Sequence, residues 1–226
     1  IKNIDQLINP DHLKQLDERY FYVYHFIKDI DVFDKGDDNT RCRHYEKRRE
    51  VELRAKEIVR FRRINPYMAK KVLGIDACSS EIGCRPEIFA TAFRYLSNHI
   101  RVNNANRRDD RNLYDLEKKK KIKEANNDEK MPQLRITYHA GEEFLDVADG
   151  LRAIDEAIFY FNLDCGDRLG HAIALGINVE EWYKSKGNCI LISKQDYLDN
   201  IVWLFGKIVD LRIEGQEELK DYLQKE

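Results

Sequence analysis

Short apolar runs separated by helical patterns are the feature that most constrains how this chain can fold. A run that is apolar nearly throughout is typical of a parallel strand buried on both faces. Four runs rich in β-branched and aromatic residues predict such strands: Tyr20–Ile27, Lys71–Asp76, Leu134–His139 and Asp167–His171. A fifth candidate strand is Cys189–Ile192.

Amphipathic helical patterns lie between these predicted strands. They cover His44–Arg63, a segment that begins at Pro86, Asp146–Phe161, and Tyr197–Leu211 with its Trp203. Strands that alternate with helices predict an α/β fold with a parallel sheet. The pattern is compatible with an open sheet and with a closed (β/α)₈ barrel, although five strands are too few for a complete barrel.

The length of 226 residues fits a single domain spanning 1–226. One stretch interrupts the pattern: residues 100–133 mix both charges and contain few apolar side chains. We expect this stretch to be a charged, exposed insertion or a mobile loop between a helix and the strand that follows it.

Composition excludes several classes of function. The 39 basic and 41 acidic residues nearly balance, which gives no general attraction to nucleic acid or to an anionic membrane. No apolar run approaches the ~20 residues of a membrane span, and the first residues lack the layout of a signal peptide. The five cysteines are odd in number and form no CxxC pair, so we expect reduced thiols in a cytoplasmic protein.

The segment Thr137–Glu143 is the most specific candidate for chemistry. A predicted strand ends at His139, two small residues follow, and the carboxylate of Glu142 comes three positions after the histidine. Parallel α/β enzymes place reactive groups at the C-terminal ends of strands, and here a metal ligand and a general acid could stand together. A hydrogen-bonded histidine at a strand end, followed by a glutamate that opens a helix, explains the pattern equally well.

Two further segments have the same layout. His171 ends the strand-like run DRLGH, and Gly74–Glu81 (GIDACSSE) ends a third strand in small polar residues and a carboxylate. The simple alternatives are a buried, hydrogen-bonded histidine and an ordinary capped turn. If the sheet is parallel, however, all of these strand ends open into the same mouth.

These three segments resemble motifs of the adenosine deaminase family. YHAGEE resembles the HAGE segment, DRLGHA resembles R-[IL]-G-H-G, and GIDACSSE resembles G-[IV]-D-L-A-G-x-E, in the same order along the chain. Longer strings such as EIGCRPEIFATAFRYL and GDRLGHAIALGI are similar to a prokaryotic antiphage-defence branch, the RADAR-type and CRISPR-associated, CARF-fused deaminases. The resemblance spans roughly residues 20–211.

The resemblance implies a role for each matching residue. His139 would bind a catalytic zinc ion, Glu142 would donate a proton to N1 of the purine, and His171 would orient or deprotonate the zinc-bound water. Asp76, Ser79 and Gly141 would contribute to the substrate pocket. The reaction would be hydrolytic deamination at C6, with ammonia as the leaving group.

The chain also departs from the family pattern. It has no HxH pair, which supplies two zinc ligands on the first barrel strand, and no S-x-N-T-D-D segment, which supplies another on the last strand. His139 is then one of four expected ligands, so we expect a partial TIM-barrel-like (β/α)₈ domain whose first and last strands lie outside this sequence. Ser79 stands where the family often has glycine, and Ala172 replaces the glycine after the histidine.

The resemblance implies deamination of adenosine or an adenine nucleotide, ATP among them, in antiphage defence. It also implies a homo-oligomer and a partner protein of the defence system. The alternative is a catalytically inactive scaffold or assembly module with the same fold. Editing of adenines in a polynucleotide is less favoured, because the H-x-E…P-C-x-x-C signature of the zinc-dependent editing deaminases is absent.

Overall fold

A four-stranded parallel sheet forms the centre of the molecule. The computed structural model describes residues 20–30, 42–109 and 131–225. Within these ranges the strands lie side by side in chain order: β1 (Tyr22–Ile27), β2 (Val72–Cys78), β3 (Arg135–Ala140) and β4 (Arg168–His171). All three pairings are parallel. The four predicted strands and the α/β class are therefore confirmed.

Helices follow and connect the strands, as parallel pairing requires. Those in the described ranges are α1 (Tyr45–Ile64), the short α2 (Pro66–Ala69), α3 (Ala90–Asp109), α4 (Val147–Phe161), α5 (Val179–Ser185), α6 (Lys194–Asp210) and α7 (Glu217–Lys225). Short 3-10 helices, Pro86–Ile88 and Ile173–Gly176, precede α3 and α5. No helix of the described ranges is long and apolar enough to cross a lipid bilayer.

The hydrophobic core lies between the sheet and helices α1, α3 and α4. Alternate strand residues point toward these helices, so that Ile75, Ile136 and Tyr138 are at most 1% exposed. The ring of Tyr138 packs 4.6 Å from that of Phe161, and Phe93 lies 5.1 Å from Phe161. This aromatic cluster packs helices α3 and α4 against β3.

The remaining strand residues share the opposite face of the sheet, and they include most of the reactive side chains. His25 lies beside Asp76 in the register of β1 with β2, and His139 lies beside Gly170 in the register of β3 with β4. The parallel register therefore brings side chains from distant parts of the sequence onto one surface.

Helix α6 is attached to the rest of the fold by buried polar contacts. Asn200, which is 2% exposed, accepts a hydrogen bond of 2.9 Å from the Arg152 side chain of α4. Arg85 contacts Asp196 at 2.5 Å, and Arg43 contacts Asp199 at 2.8 Å. Each of these arginines also contacts another acidic side chain, so a network of polar contacts positions α6.

The predicted fifth strand, Cys189–Ile192, is wrong. These residues form an irregular segment that leads to Ser193, the N-cap of α6, and Leu191 is 91% exposed. A short apolar run becomes a strand only when a neighbouring backbone pairs with it, and no described strand lies alongside.

The first residues of the predicted charged insertion, 100–109, belong to a helix. Helix α3 continues to Asp109, so residues 100–109 are helical. Charged and amide side chains do not end a helix that a buried apolar face has already started. Residues 110–130 of the predicted insertion lie outside the described residues, and residues 131–134 lead irregularly into β3.

The sheet is open at both of its edges in the described ranges. Strand β1 pairs only with β2, and β4 pairs only with β3. Large apolar side chains, among them Tyr20, Phe21 and Ile27, are exposed at or near β1. Closure into a barrel would require further strands at these two edges.

Candidate functional site

His139 and His171 lie next to each other at the C-terminal ends of β3 and β4. The centroids of their rings are 5.2 Å apart, with an angle of 44° between the ring planes. The adjacent registers explain this proximity, because Ala140 of β3 is paired with His171 of β4. Two of the residues singled out in the sequence thus face the same space.

Glu142 joins this pair through His171. The Nε2 atom of His171 lies 3.1 Å from Oε2 of Glu142, which is within hydrogen-bonding distance. Both side chains are partly accessible, with exposed fractions of 45% and 42%. Left-handed backbone at His171 and Ala172 turns the chain sharply here, and the Ala172 amide donates back to the carbonyl of Ala140. The turn therefore keeps the imidazole against the HAGE loop.

Asp76 orients His139. Its Oδ1 lies 3.1 Å from Nδ1 of His139, and the carbonyl of Ala77 is 3.3 Å from the same nitrogen. Both neighbours are acceptors, so Nδ1 carries the ring proton and Nε2 keeps a free lone pair. When one nitrogen of a histidine ligates a metal, the other nitrogen commonly donates its hydrogen to a carboxylate or a backbone carbonyl in this way.

Gly170 provides the space that the His139 ring occupies. A Cβ atom added at this glycine would lie 2.7 Å from Cδ2 of His139 and 3.0 Å from its Cγ. Real Cβ atoms do not approach other heavy atoms so closely. The glycine in the DRLGHA segment is thus required by the packing of β4 against the imidazole.

Gly141 is buried and lies in the left-handed region, with φ at +73°. A Cβ atom there would come within 2.5 Å of Cδ1 of Ile154, and its amide donates to Oε2 of Glu81 over 2.7 Å. Burial raises the pKa of Glu81. Gly141 thus shapes the loop from within, through its contacts with Ile154 and Glu81.

Ser79 is exposed and also has left-handed backbone, with φ at +83°. Glycine adopts this conformation without penalty, which explains why the related motif often has glycine at this point. The neighbouring hydroxyl of Ser80 donates to Oε2 of Glu143 over 2.8 Å. The loops after β2 and β3 are thus joined across the mouth of the sheet by Ser80 and Glu81.

Lys28 is a component of the site that sequence patterns did not indicate. Its side chain is 1% exposed, its amine donates to the carbonyl of His139, and it lies 4.3 Å from the centre of the Tyr138 ring. Burial lowers the pKa of this amine. The lysine supports the end of β3 from the core side, directly behind His139.

His25 was missed as well, and with Asp76 and Cys78 it forms a possible metal-binding triad. One ligand atom from each residue lies within 4.8 Å of the other two. Asp76 and Cys78 are two positions apart on β2 and therefore face the same way, a relation visible in the sequence. The placement of His25 depends on the pairing of β1 with β2, which no local pattern reveals.

The zinc site expected from the adenosine deaminase resemblance is incomplete in this chain. His139 fits as one ligand, because Asp76 leaves its Nε2 available. The sequence contains neither the HxH pair nor the terminal aspartate pair. One imidazole does not form a structural or catalytic zinc site, which takes at least three protein ligands.

Comparison with known proteins adds no relative. No protein-family model matches the chain, and no curated protein is significantly similar to it. The likeness to adenosine deaminases therefore depends on the three motifs and on the positions that their residues occupy.

Proposed function

We propose that this chain is the central part of a zinc-dependent deaminase domain that acts on adenosine or an adenine nucleotide. The observation that carries the proposal is the convergence of His139, His171 and Glu142 at one end of a parallel sheet. These residues come from two of the motifs, and Asp76 of the third lies 3.1 Å from His139, which supports the proposal. The C-terminal ends of neighbouring parallel strands always lie together, so the support comes from the types of residue that meet there.

The chemistry assigned to this chain is a set of proton transfers. Glu142 donates a proton to N1 of the purine, which makes C6 more electrophilic, and His171 accepts a proton from the attacking water and passes it to the amino group, which leaves as ammonia. The second proton of that water returns to Glu142 as the C6 carbonyl forms. Nε2 of His171 and Oε2 of Glu142 lie 3.1 Å apart. When bound, zinc would supply a water of lowered pKa as the nucleophile.

Asp76 and Gly170 serve this reaction as positioning residues. Asp76 holds the tautomer of His139, and Gly170 allows its ring to lie close to β4. Glu142 is 42% exposed, so bound substrate would have to exclude water from it before the proton transfer.

The proposed barrel is incomplete. Within the described residues β1 and β4 each have one unpaired edge, and apolar residues near β1 are exposed, which supports a partial (β/α)₈ barrel. Further strands would carry the missing zinc ligands. We also propose, from the resemblance alone, that the intact protein is a homo-oligomer of an antiphage-defence system, with ATP as one candidate substrate.

The test measures zinc content and ammonia release from adenosine and from ATP on the intact protein. We expect one zinc per protomer and turnover that falls at least ~100-fold in Glu142→Gln, the scale of a lost general acid. Glu180→Gln is the matched control, because Glu180 is an exposed glutamate of α5 paired with Lys184. A correctly assembled protein that contains no metal and releases no ammonia would refute the proposal and support a scaffold.

A further inference from the structure

We infer that His25, Asp76 and Cys78 bind a divalent ion of the zinc class at the C-terminal ends of β1 and β2. The three residues supply nitrogen, oxygen and sulfur ligands from two paired strands. This site has different ligands from the deaminase zinc that His139 would ligate, although Asp76 contacts both groups, His25 through Oδ2 and His139 through Oδ1. The inference does not depend on the proposed function.

The backbone already places the three side chains correctly. In the parallel register His25 is opposite Asp76, and Ile27 is opposite Cys78, so the three ligands occupy one corner of the sheet face. Nδ1 of His25 lies 3.0 Å from Oδ2 of Asp76, and all three ligand atoms lie within 4.8 Å of one another. Ligands of a tetrahedral zinc ion are roughly 3.3–3.6 Å apart, given bonds of about 2.0–2.3 Å. Side-chain rotations alone could therefore close the site.

The charge of Asp76 favours a cation at this position. The carboxylate is 2% exposed, and imidazole nitrogens face both of its oxygens, His25 at Oδ2 and His139 at Oδ1. A buried carboxylate needs positive charge or hydrogen bonds to compensate the loss of water. Lys28 contributes at longer range, and an ion held by the triad would contribute directly.

Cys78 determines which ions the site prefers. Burial raises the pKa of its thiol, and the negative charge of Asp76 raises it further. A coordinated ion reverses this effect: the thiol releases its proton to solvent as the sulfur–metal bond forms, with no change in oxidation state. A thiolate with an imidazole selects zinc-like ions over magnesium and calcium, which prefer sites made of oxygen alone.

Access to the site suits an exchangeable ion. His25 is 53% exposed, so an ion can enter from solvent without opening the core. Three protein ligands leave the fourth tetrahedral position to water or to a ligand from outside. The site is therefore built like open zinc sites, in contrast to the closed four-ligand sites that serve only stability.

Cobalt substitution tests this inference independently of any enzymatic activity. We expect Co²⁺ added to the full chain to produce a near-ultraviolet absorption band from thiolate-to-cobalt charge transfer. The band should disappear in Cys78→Ser and weaken in His25→Ala. It should persist in His139→Gln, which removes the residue expected to bind the deaminase zinc, and in Cys42→Ser, which removes an exposed cysteine elsewhere.

Alkylation of the unmutated chain provides a second measurement, in case Cys78→Ser does not fold. Zn²⁺ should slow modification of Cys78 by iodoacetamide at least tenfold, as read by peptide mass spectrometry, and leave Cys165 and Cys189 unaffected. A cobalt band that survives Cys78→Ser, or alkylation of Cys78 that is insensitive to Zn²⁺, would overturn the inference. Neither result bears on ammonia release, so failure of this site and failure of the proposed deaminase are distinguishable.

Discussion

A methyl group at Gly170 should displace the ring of His139. In Gly170→Ala the new carbon would lie 2.7 Å from Cδ2, 3.0 Å from Cγ and 3.1 Å from Nε2 of that ring. Favourable carbon contacts are about 3.5–4.0 Å, so the overlap is about 0.8 Å or more. Asp76 holds Nδ1 at 3.1 Å, which opposes rotation of the ring away from β4.

The cost of this overlap can be estimated from the surroundings of the ring. Overpacking destabilises a well-packed core by about 1–3 kcal/mol. The His139 side chain is 27% exposed and has some room to move, so we expect the lower end, about 1 kcal/mol. A shift of about 1 Å in a group that positions the chemistry can reduce the rate ~100-fold.

Urea unfolding would measure the loss of stability, and the ring resonances of His139 in NMR spectra would report the displacement of the ring. Ammonia release by the intact protein would measure the fall in rate. Gly176→Ala is the matched control, since a Cβ atom there meets nothing within 4 Å. An unchanged unfolding midpoint together with unchanged His139 resonances in Gly170→Ala would show that the glycine is not needed to fit the imidazole.

Two further predictions concern stability. Ser79→Gly should stabilise the chain by about 0.5–1 kcal/mol in urea unfolding. Relief of the left-handed backbone should add about 1–2 kcal/mol, and the greater freedom of glycine in the unfolded chain should offset about 0.4–1 kcal/mol of this gain. Equal or lower stability would contradict the prediction. Helix α6 should detach in acid. Burial acts to raise the pKa of Asp196, but hydrogen bonds from Arg85 and Ser193 outweigh it, so the pKa is lowered. The stability that Asp196 adds is thus present above the ordinary carboxyl pKa of about 4 and is lost as the pH falls through the lowered value. Fluorescence of Trp203 on α6 would follow the acid transition. The change in fluorescence should be smaller in Asp196→Asn and unchanged in Asp210→Asn. An identical acid transition in both variants would exclude the Arg85 contact as its cause.

Local patterns were sufficient for the elements that hold the site. Apolar runs predicted β1 to β4, although several residues are buried only in β2 and β3, and most residues of β1 and β4 are half-buried or exposed. Asp146 was correctly expected at the start of its helix, where its side chain accepts from the Ala148 amide. The strand-end positions of His139 and His171 followed from the same runs.

Local patterns could not specify strand pairing or side-chain contacts between residues that are distant in the sequence. Cys189–Ile192 has the composition of a strand and no described backbone to pair with. His25 joins Asp76 only because β1 pairs with β2 in one register, and a shift of one residue would turn His25 to the other face. Lys28 reaches the carbonyl of His139 across 111 positions of chain. The hydrophobic pattern of a segment indicates which of its residues will be buried, and this pattern can be read from the segment alone. Strand register and contacts between strands arise only when the segments pack together.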